Sequence, residues 1–190
     1  MKQVIRSAGH ISTLQWSDFF LRGIEIKLLP NSKHHVEVEA SEHSTAFTNW
    51  LIQRPDHGHA TLEITYAECY ENEPIFYPWT RNKGDRVLPT GRLMGPKDIV
   101  IVSSGVDALH YEPVWFRTFR FMVLEIEVGE TAIGLSKFSA NQVNYPIDQT
   151  ASFHAPGIMN GDLIWDVSIR TLRNCMFDGY SDCPFYEQLQ

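Results

Sequence analysis

The chain has 190 residues, of which 43% are hydrophobic and 12% aromatic, enough for one sizeable core or for one domain with part of a second. Its formal net charge is −7 and it contains no basic block, so a nucleic-acid partner, whose phosphates need clustered Lys and Arg, is excluded. No apolar run approaches the roughly 20 residues that span a bilayer, so no membrane partner is expected.

The cysteines, Cys69, Cys175 and Cys183, show no C-x-x-C spacing, which excludes a zinc site and a disulfide framework. Buried thiols are predicted, and a redox role for Cys175 and Cys183 is the alternative. The histidines of the turn at 57–59 have no third ligand, and no nucleotide-binding motif is present, so neither a metal nor a cofactor is expected. The first residues lack the apolar segment of a signal peptide, which leaves a cytoplasmic protein or one whose original N-terminus is absent here.

Residues 1–145 show short strand patterns separated by turns. Residues 61–67 alternate between polar and apolar, which puts Leu62, Ile64 and Tyr66 on a core face. Residues 98–102 form an apolar run typical of a strand buried on both faces, and residues 115–128 are the longest β-branched and aromatic stretch. Because no helical periodicity interrupts this region, we predict a mainly β domain, an antiparallel β-sandwich of jelly-roll-like form.

The pattern changes after Pro146. Residues 158–176 place apolar side chains around more than half of a helical circumference, which predicts a helix buried against other helices. Its expected start is Asn160 or Gly161 and its expected stop is 178–179. Since such a helix needs neighbours, residues 146–190 are expected to form a linker and the truncated N-terminal part of a second, helical domain.

The last ten residues contain Asp182-Cys183-Pro184 followed by Glu187. This D-C-P-x-x-E pattern resembles the signature of the α-L-rhamnosidases of glycoside hydrolase family 78, and the likeness extends over residues 60–190. The resemblance implies an inverting enzyme that releases terminal α-L-rhamnose from glycosides, with the helix above as the first of an (α/α)6 barrel. In the family the general acid follows the motif within a few residues. We therefore expect it beyond Gln190, expect no catalytic residue within the chain, and expect the chain alone to be inactive.

The resemblance assigns Asp182 and Glu187 to the rhamnose subsite, where carboxylates accept hydrogen bonds from sugar hydroxyls. Pro184 favours a first helical turn, so both acids would lie near a helix N-terminus, which stabilises their ionised forms. Phe185 and Tyr186 are the predicted contacts for the apolar face of the sugar, and packing in a core is the equal alternative. For Asp182 the alternative is a capping role without a ligand.

Two other functions fit the same sequence. One is a stand-alone carbohydrate-binding β-sandwich, which solvent-facing aromatic side chains would favour. The other is a structural sandwich that braces the barrel. Under the leading hypothesis the expected partners are rhamnose-containing glycosides and the remainder of the chain's own catalytic barrel.

Overall fold

The computed structural model describes residues 1–76, 80–83, 89–177 and 179–186, and for residues 74–76, 80 and 81 only the backbone. Eleven strands and two helices form in these ranges, so the fold is mainly β, as predicted. The strands are β1 (Gln3–Ala8), β2 (Ile26–Leu28), β3 (Lys33–Gln53), β4 (His59–Ala67), β5 (Tyr70–Phe76), β6 (Thr80–Lys83), β7 (Arg92–Leu93), β8 (Lys97–Ser103), β9 (Leu109–Tyr111), β10 (Arg117–Val128) and β11 (Ile133–Gln142). The helices are α1 (Thr13–Arg22) and α2 (Gly161–Asn174).

One antiparallel sheet curls around its longest member, β3. The N-terminal half of β3 pairs with β1 and β10, and its C-terminal half pairs with β9 and β11. From β10 the sheet continues to β4 and β8, and from β11 it continues to β2. Inward side chains from both halves form one core, so the prediction of a sandwich-like β domain is confirmed. A second, smaller sheet consists of β5, β6 and β7.

Strand β4 shows how the alternating pattern is used. Leu62, Ile64 and Tyr66 are fully buried in the core, as predicted from their period of two. Thr65 on the opposite face is also buried, because the outer face of this sheet is itself covered around Tyr70 and Phe121. The outer face of β4 is therefore shielded near Thr65, where a polar residue does not guarantee contact with water.

Helix α1 corrects the prediction that residues 1–145 contain no helix. Ser12 and Gln15 form a capping box at its N-terminus, and Gly23 at φ 70° ends it. Its buried face consists of Trp16, Phe19 and Phe20, whose i, i+3, i+4 spacing gives one apolar stripe. This helix was not predicted because its apolar stripe has only three members, within the five residues 16–20.

Strand β8 corrects the prediction of a strand buried on both faces. Asp98, Val100 and Val102 point inward and are buried, whereas Ile99 and Ile101 are 65% and 63% exposed. The sheet order ends at β8, which pairs with β4, and its outer face carries no covering layer among the described residues. A run of consecutive apolar residues thus marks an edge strand here.

Helix α2 begins at Gly161, as predicted, but ends at Asn174 rather than at 178–179. Its apolar face is uncovered within the described part of the chain, where Leu163, Ile164 and Val167 are 63%, 60% and 47% exposed. Burial of this face against helices of a second domain stays a prediction. The last strand ends at Gln142. The domain boundary near residue 145 stays a prediction. Neither described helix is long and apolar enough to cross a membrane.

Candidate functional site

Two buried threonines hold the end of α2 and the D-C-P segment on the outer face of the sheet. The Thr118 hydroxyl donates to the Pro184 carbonyl at 3.0 Å. The Thr45 hydroxyl donates to the Asn174 carbonyl at 3.2 Å. Thr45 and Thr118 face each other across β3 and β10, with their hydroxyl oxygens 3.0 Å apart. Each threonine thus satisfies one carbonyl of the C-terminal region, which fixes that region against the sheet.

Phe185 adds an apolar anchor beside this pair. Its side chain is buried and its ring lies against Gly95. A Cβ at Gly95 would come within 1.7 Å of the Tyr66 carbonyl oxygen and 3.1 Å of the Phe185 ring, so only glycine allows this close approach. The structure places Phe185 in packing contact with the sandwich, and its role as a sugar contact stays a prediction.

Tyr186 is half exposed and joins the segment to two charged residues of the sandwich. Its hydroxyl donates to the Glu68 carboxylate at 3.2 Å and accepts a hydrogen bond from the Lys83 ammonium group. The Lys83 nitrogen lies 2.9 Å from the same carboxylate and 5.1 Å from the centre of the Tyr186 ring. The phenol is therefore held in one orientation by groups of both charges.

These contacts set the charge state of Glu68. Burial by itself would raise the pKa of its carboxyl, but the hydrogen bonds from Lys83 and Tyr186 outweigh burial and lower that pKa. Burial would likewise lower the pKa of the Lys83 amine, and its bonds to Tyr186 and Glu68 raise it instead. Both groups stay ionised at neutral pH, so Glu68 is unsuited to donate a proton and suited to accept hydrogen bonds.

A cleft of about 700 Å³ lies between α2, the D-C-P segment and the outer face of the sheet. Glu39, Arg120 and Glu68 line the sandwich side. Arg170 of α2 and Asp182 line the opposite side, and Asp182 is exposed. The wall thus combines carboxylate acceptors with guanidinium donors, an arrangement that binds ligands rich in hydroxyl groups.

Ion pairs order the cleft wall. Arg120 is paired with Glu39, and its other terminal nitrogen donates to the Ser41 carbonyl at 2.7 Å. Burial alone would raise the pKa of Glu39, but its bonds to basic and amide side chains, including Arg120, lower that pKa. Arg170 reaches across the cleft to Glu42 at 4.0 Å. These pairs preorganise the wall, because the charged groups are positioned before any ligand arrives.

Asn174 lies at the end of α2, at the base of the cleft. Its side-chain nitrogen donates to the His43 carbonyl at 2.6 Å, which orients the amide. Its side-chain oxygen is buried and has no hydrogen-bond partner among the described residues. The amide thus attaches the helix end to β3 and presents an acceptor towards the helix side.

The predicted site residues are brought together in part. Asp182 lies on the cleft wall. Phe185 packs against Gly95, and Tyr186 contacts Glu68, which also lines the cleft. Glu187 lies outside the described residues. The described ranges contain no group of three or more His, Cys, Asp or Glu side chains arranged to hold a metal ion.

Sequence reasoning assigned no role to Glu68, Lys83, Thr118 and Arg120. All four lie within residues 60–190, the range over which the sequence resembles the rhamnosidases. Their spacing carries no local signal, because Lys83 and Tyr186 are 103 positions apart. Only the folded chain brings these groups to one place.

No protein-family profile and no curated protein matches the sequence. Solved structures do match. A GH78-family rhamnosidase of Bacillus sp. GL1 is similar with a TM-score of 0.61 and 19% identity, over 86% of this chain and 15% of that one. A rhamnosidase from Klebsiella oxytoca with rhamnose bound is similar with a TM-score of 0.60 and 18% identity, over 98% of this chain and 36% of that one. The chain therefore spans a minor part of each rhamnosidase, and the similarity establishes a shared fold with that part.

Proposed function

We propose that this chain is the β-sandwich and the leading catalytic segment of an inverting glycoside hydrolase that releases terminal α-L-rhamnose. The observation that carries the proposal is the anchored D-C-P segment. Thr118 and Phe185 fix it on the sandwich, and Asp182 stands exposed on the wall of a charged cleft. The fold shared with GH78 rhamnosidases supports the same placement of the chain.

In this proposal the carboxylates of Asp182 and Glu187 accept hydrogen bonds from the hydroxyls of rhamnose. They also stabilise the positive charge that builds at the anomeric carbon in an oxocarbenium-like transition state. Tyr186 offers its ring to the apolar face of the sugar, while Phe185 supports the segment from behind. The Lys83–Glu68 pair holds the Tyr186 hydroxyl in place and so restricts the ring.

The proton donor is proposed to come from the remainder of the barrel. A general acid needs a pKa near or above the working pH. Glu39 and Glu68, two carboxyls of the cleft, have lowered pKa values because basic and hydroxyl groups bond to them. The exposed apolar face of α2, formed by Leu163, Ile164 and Val167, is the proposed contact for the barrel. The chain by itself is accordingly proposed not to hydrolyse rhamnosides.

The test uses the parent enzyme, in which the chain is followed by its barrel, and an aryl α-L-rhamnoside as substrate. Asp182→Asn and Glu187→Gln keep the size of each side chain and remove its charge. Each change is expected to lower kcat/KM by about 10²–10³, the effect of losing one electrostatic contact at a transition state. The thermal midpoint should change little, because Asp182 is exposed and each amide keeps the size of the carboxyl group it replaces.

Asp56→Asn is the matched control, since this exposed aspartate lies in a turn away from the cleft. It should leave kcat/KM unchanged. If Asp182→Asn and Glu187→Gln also keep wild-type kinetics, the assignment of the D-C-P segment to the sugar site is wrong. A lower melting temperature with normal kinetics would assign the two acids a structural role.

A stand-alone carbohydrate-binding role is the second candidate, and one aromatic cluster favours it. Trp115 is 39% exposed, and its ring lies 5.2 Å from Phe116 and 5.9 Å from Phe177. A rigid indole supported from behind suits stacking on a pyranose face. Titration of L-rhamnose into the isolated chain and into its Trp115→Ala variant tests this role. Wild-type binding that disappears in the variant would favour the binding module over the catalytic segment.

A further inference from the structure

Two of the three cysteines meet at the end of α2. Cys69 is fully buried, as predicted, whereas Cys175 and Cys183 are half-buried, which corrects the prediction of buried thiols for those two. Both line the cleft beside Asp182. Their backbones are brought together by a short return of the chain. The Ser181 amide and hydroxyl donate to the Cys175 carbonyl at 2.8 and 3.2 Å, and Met176 pairs with Tyr180.

The Cys175 side chain reaches the backbone beside Cys183. Its thiol lies 3.7 Å from the carbonyl oxygen of Asp182, the residue directly before Cys183. In a trans peptide the carbonyl oxygen is about 2.8 Å from the next Cα, so the sulfur lies within about 6.5 Å of the Cys183 Cα. Since a cysteine sulfur is about 2.8 Å from its own Cα, the two Cα atoms lie within about 9.3 Å of each other, an upper limit that includes the roughly 4.4–6.8 Å of bridged cysteines.

We propose that Cys175 and Cys183 form a reversible disulfide that ties the end of α2 to the D-C-P segment. The oxidant is a small-molecule disulfide of the glutathione type. One thiol loses its proton and attacks the small disulfide, which forms a mixed disulfide and releases one small thiolate. The second thiolate then attacks the protein sulfur of the mixed disulfide and releases the other. Two protein thiols thereby lose two protons and two electrons, and the small disulfide is reduced to two thiols.

The bridge acts on the cleft because both sulfurs form part of its wall. It closes a loop of nine residues and holds Asp182 at a fixed distance from the last turn of α2. The proposal rests on the positions of the thiols and holds whether or not the cleft binds a sugar. In the reduced state the segment depends on Thr118, Phe185 and the Cys175–Ser181 contacts for its position.

The test is oxidation of the folded chain with oxidised glutathione, followed by alkylation of the remaining thiols and digestion with a protease that cleaves before aspartate. Cleavage before Asp178 and Asp182 separates the two cysteines. The expected product is the peptide 166–177 linked to the peptide 182–190, which separates on reduction. The oxidised chain should also melt about 3–8 °C higher, because the cross-link restricts the unfolded chain.

Three variants make the result decisive. Cys175→Ser should abolish the linked peptide and leave Cys183 with at most one glutathione adduct. Cys183→Ser should also abolish the linked peptide and leave Cys175 with at most one glutathione adduct. Cys69→Ala should leave the linkage intact because Cys69 is fully buried. The proposal fails if both thiols are alkylated after oxidation, if each carries a separate adduct, or if the linkage involves Cys69.

Discussion

The two helices have similar amphipathic sequences and opposite surroundings. Helix α1 buries Trp16, Phe19 and Phe20 in the core, where Phe20 lies 6.1 Å from Trp50 and 5.2 Å from Phe138. Helix α2 is longer but leaves Leu163 and Ile164 largely exposed. The sandwich is thus complete around α1, whereas α2 contacts the sheet mainly through its last turn and the segment that follows.

The contrast shows that an apolar stripe predicts a contact without identifying the partner. The stripe of α1 is covered by strands that come both before and after it in the chain. The described residues supply no such layer for the exposed face of α2. Stability is therefore expected to concentrate in the sandwich, and substitutions in the C-terminal region should act on local order and on the site.

The largest difference should appear when one apolar residue of each helix is truncated. Trp16→Ala removes a fully buried ring and should lower the free energy of unfolding by about 3–5 kcal/mol. Leu163→Ala on α2 should change it by less than about 0.5 kcal/mol, because its side chain is 63% exposed. Urea denaturation followed by circular dichroism measures both. Equal losses would contradict the contrast between the helices.

A smaller effect is expected at the anchor that joins the two regions. Thr118→Val removes the hydroxyl that donates to the Pro184 carbonyl and should cost about 1–3 kcal/mol. Amide hydrogen exchange should become faster at residues 181–186 while the core of β10 stays protected. Thr61→Val, on the outer face of β4, is the control and should leave exchange at the segment unchanged. Uniformly faster exchange throughout the sandwich would show that Thr118 supports the sheet itself.

Two adjacent histidines should give the sandwich a pH dependence. Burial by itself would lower the pKa of His35, but its bonds to Glu125 and Glu37, at 2.5 and 3.0 Å, raise that pKa. The contribution of His35 to the free energy of unfolding is full below its unfolded pKa of about 6.5. It is lost as pH rises through the folded pKa, with a slope of at most about 1.4 kcal/mol per pH unit. Denaturation at several pH values above 6.5 should show this loss, and His35→Gln should remove it.

His34 affects stability over a lower pH range than His35. Burial, aided by repulsion from His10, lowers the pKa of His34 to about 4. Since its folded pKa lies below its unfolded pKa, stability is lost as pH falls from about 6.5 towards 4. Chemical shifts of the two imidazoles, followed by NMR across this range, measure both pKa values directly. Titration of both rings near 6.5 would contradict the assigned environments.

The smallest effect is expected at the half-exposed Tyr186. Tyr186→Phe removes the hydroxyl between Lys83 and Glu68 but leaves their 2.9 Å ion pair. Because exposed polar contacts contribute little, the free energy of unfolding should fall by less than about 1 kcal/mol. Tyr180→Phe, at an 80% exposed ring, is the control and should have no effect on the thermal midpoint. A loss as large as that of Thr118→Val would make Tyr186 a principal anchor.

The sequence predicted those parts of the fold that depend on local pattern. The alternation in β4 and the start of α2 at Gly161 were both predicted correctly, because each depends on neighbouring residues, although Asn160 makes no side-chain capping bond. In strand β3 the polar stretch 41–44 interrupts the apolar pattern while the backbone continues through it. Cross-strand register, which decides this continuity, has no short-range signal.

The candidate site was predictable only where a motif marked it. Asp182 was singled out by the D-C-P pattern, and the structure places it on a cleft wall. The role of Glu68 depends on Lys83 and Tyr186, which lie 15 and 118 positions away. Glu39 is likewise buried beside Lys2, Gln3 and Arg120, the last of them 81 positions away. Long-range ion pairing of this kind follows from the assembled sheet.

The length of β3 has a consequence for how this protein is made. Its partners β10 and β11 are synthesised after more than sixty further residues, which takes several seconds at about 5–20 residues per second. For most of that interval only β1 is available to pair with β3, so most of the hydrogen-bonding edges of this 21-residue strand are unpaired, a known hazard for intermolecular association. The charged side chains of Lys33, Glu37, Glu39 and Glu42 then act as gatekeepers against aggregation on the nascent chain. Replacement of Lys33 and Glu42, which are not buried, by threonine should reduce soluble yield with little change in the folded state, whereas Glu37 and Glu39 are buried in ion pairs of the folded sheet.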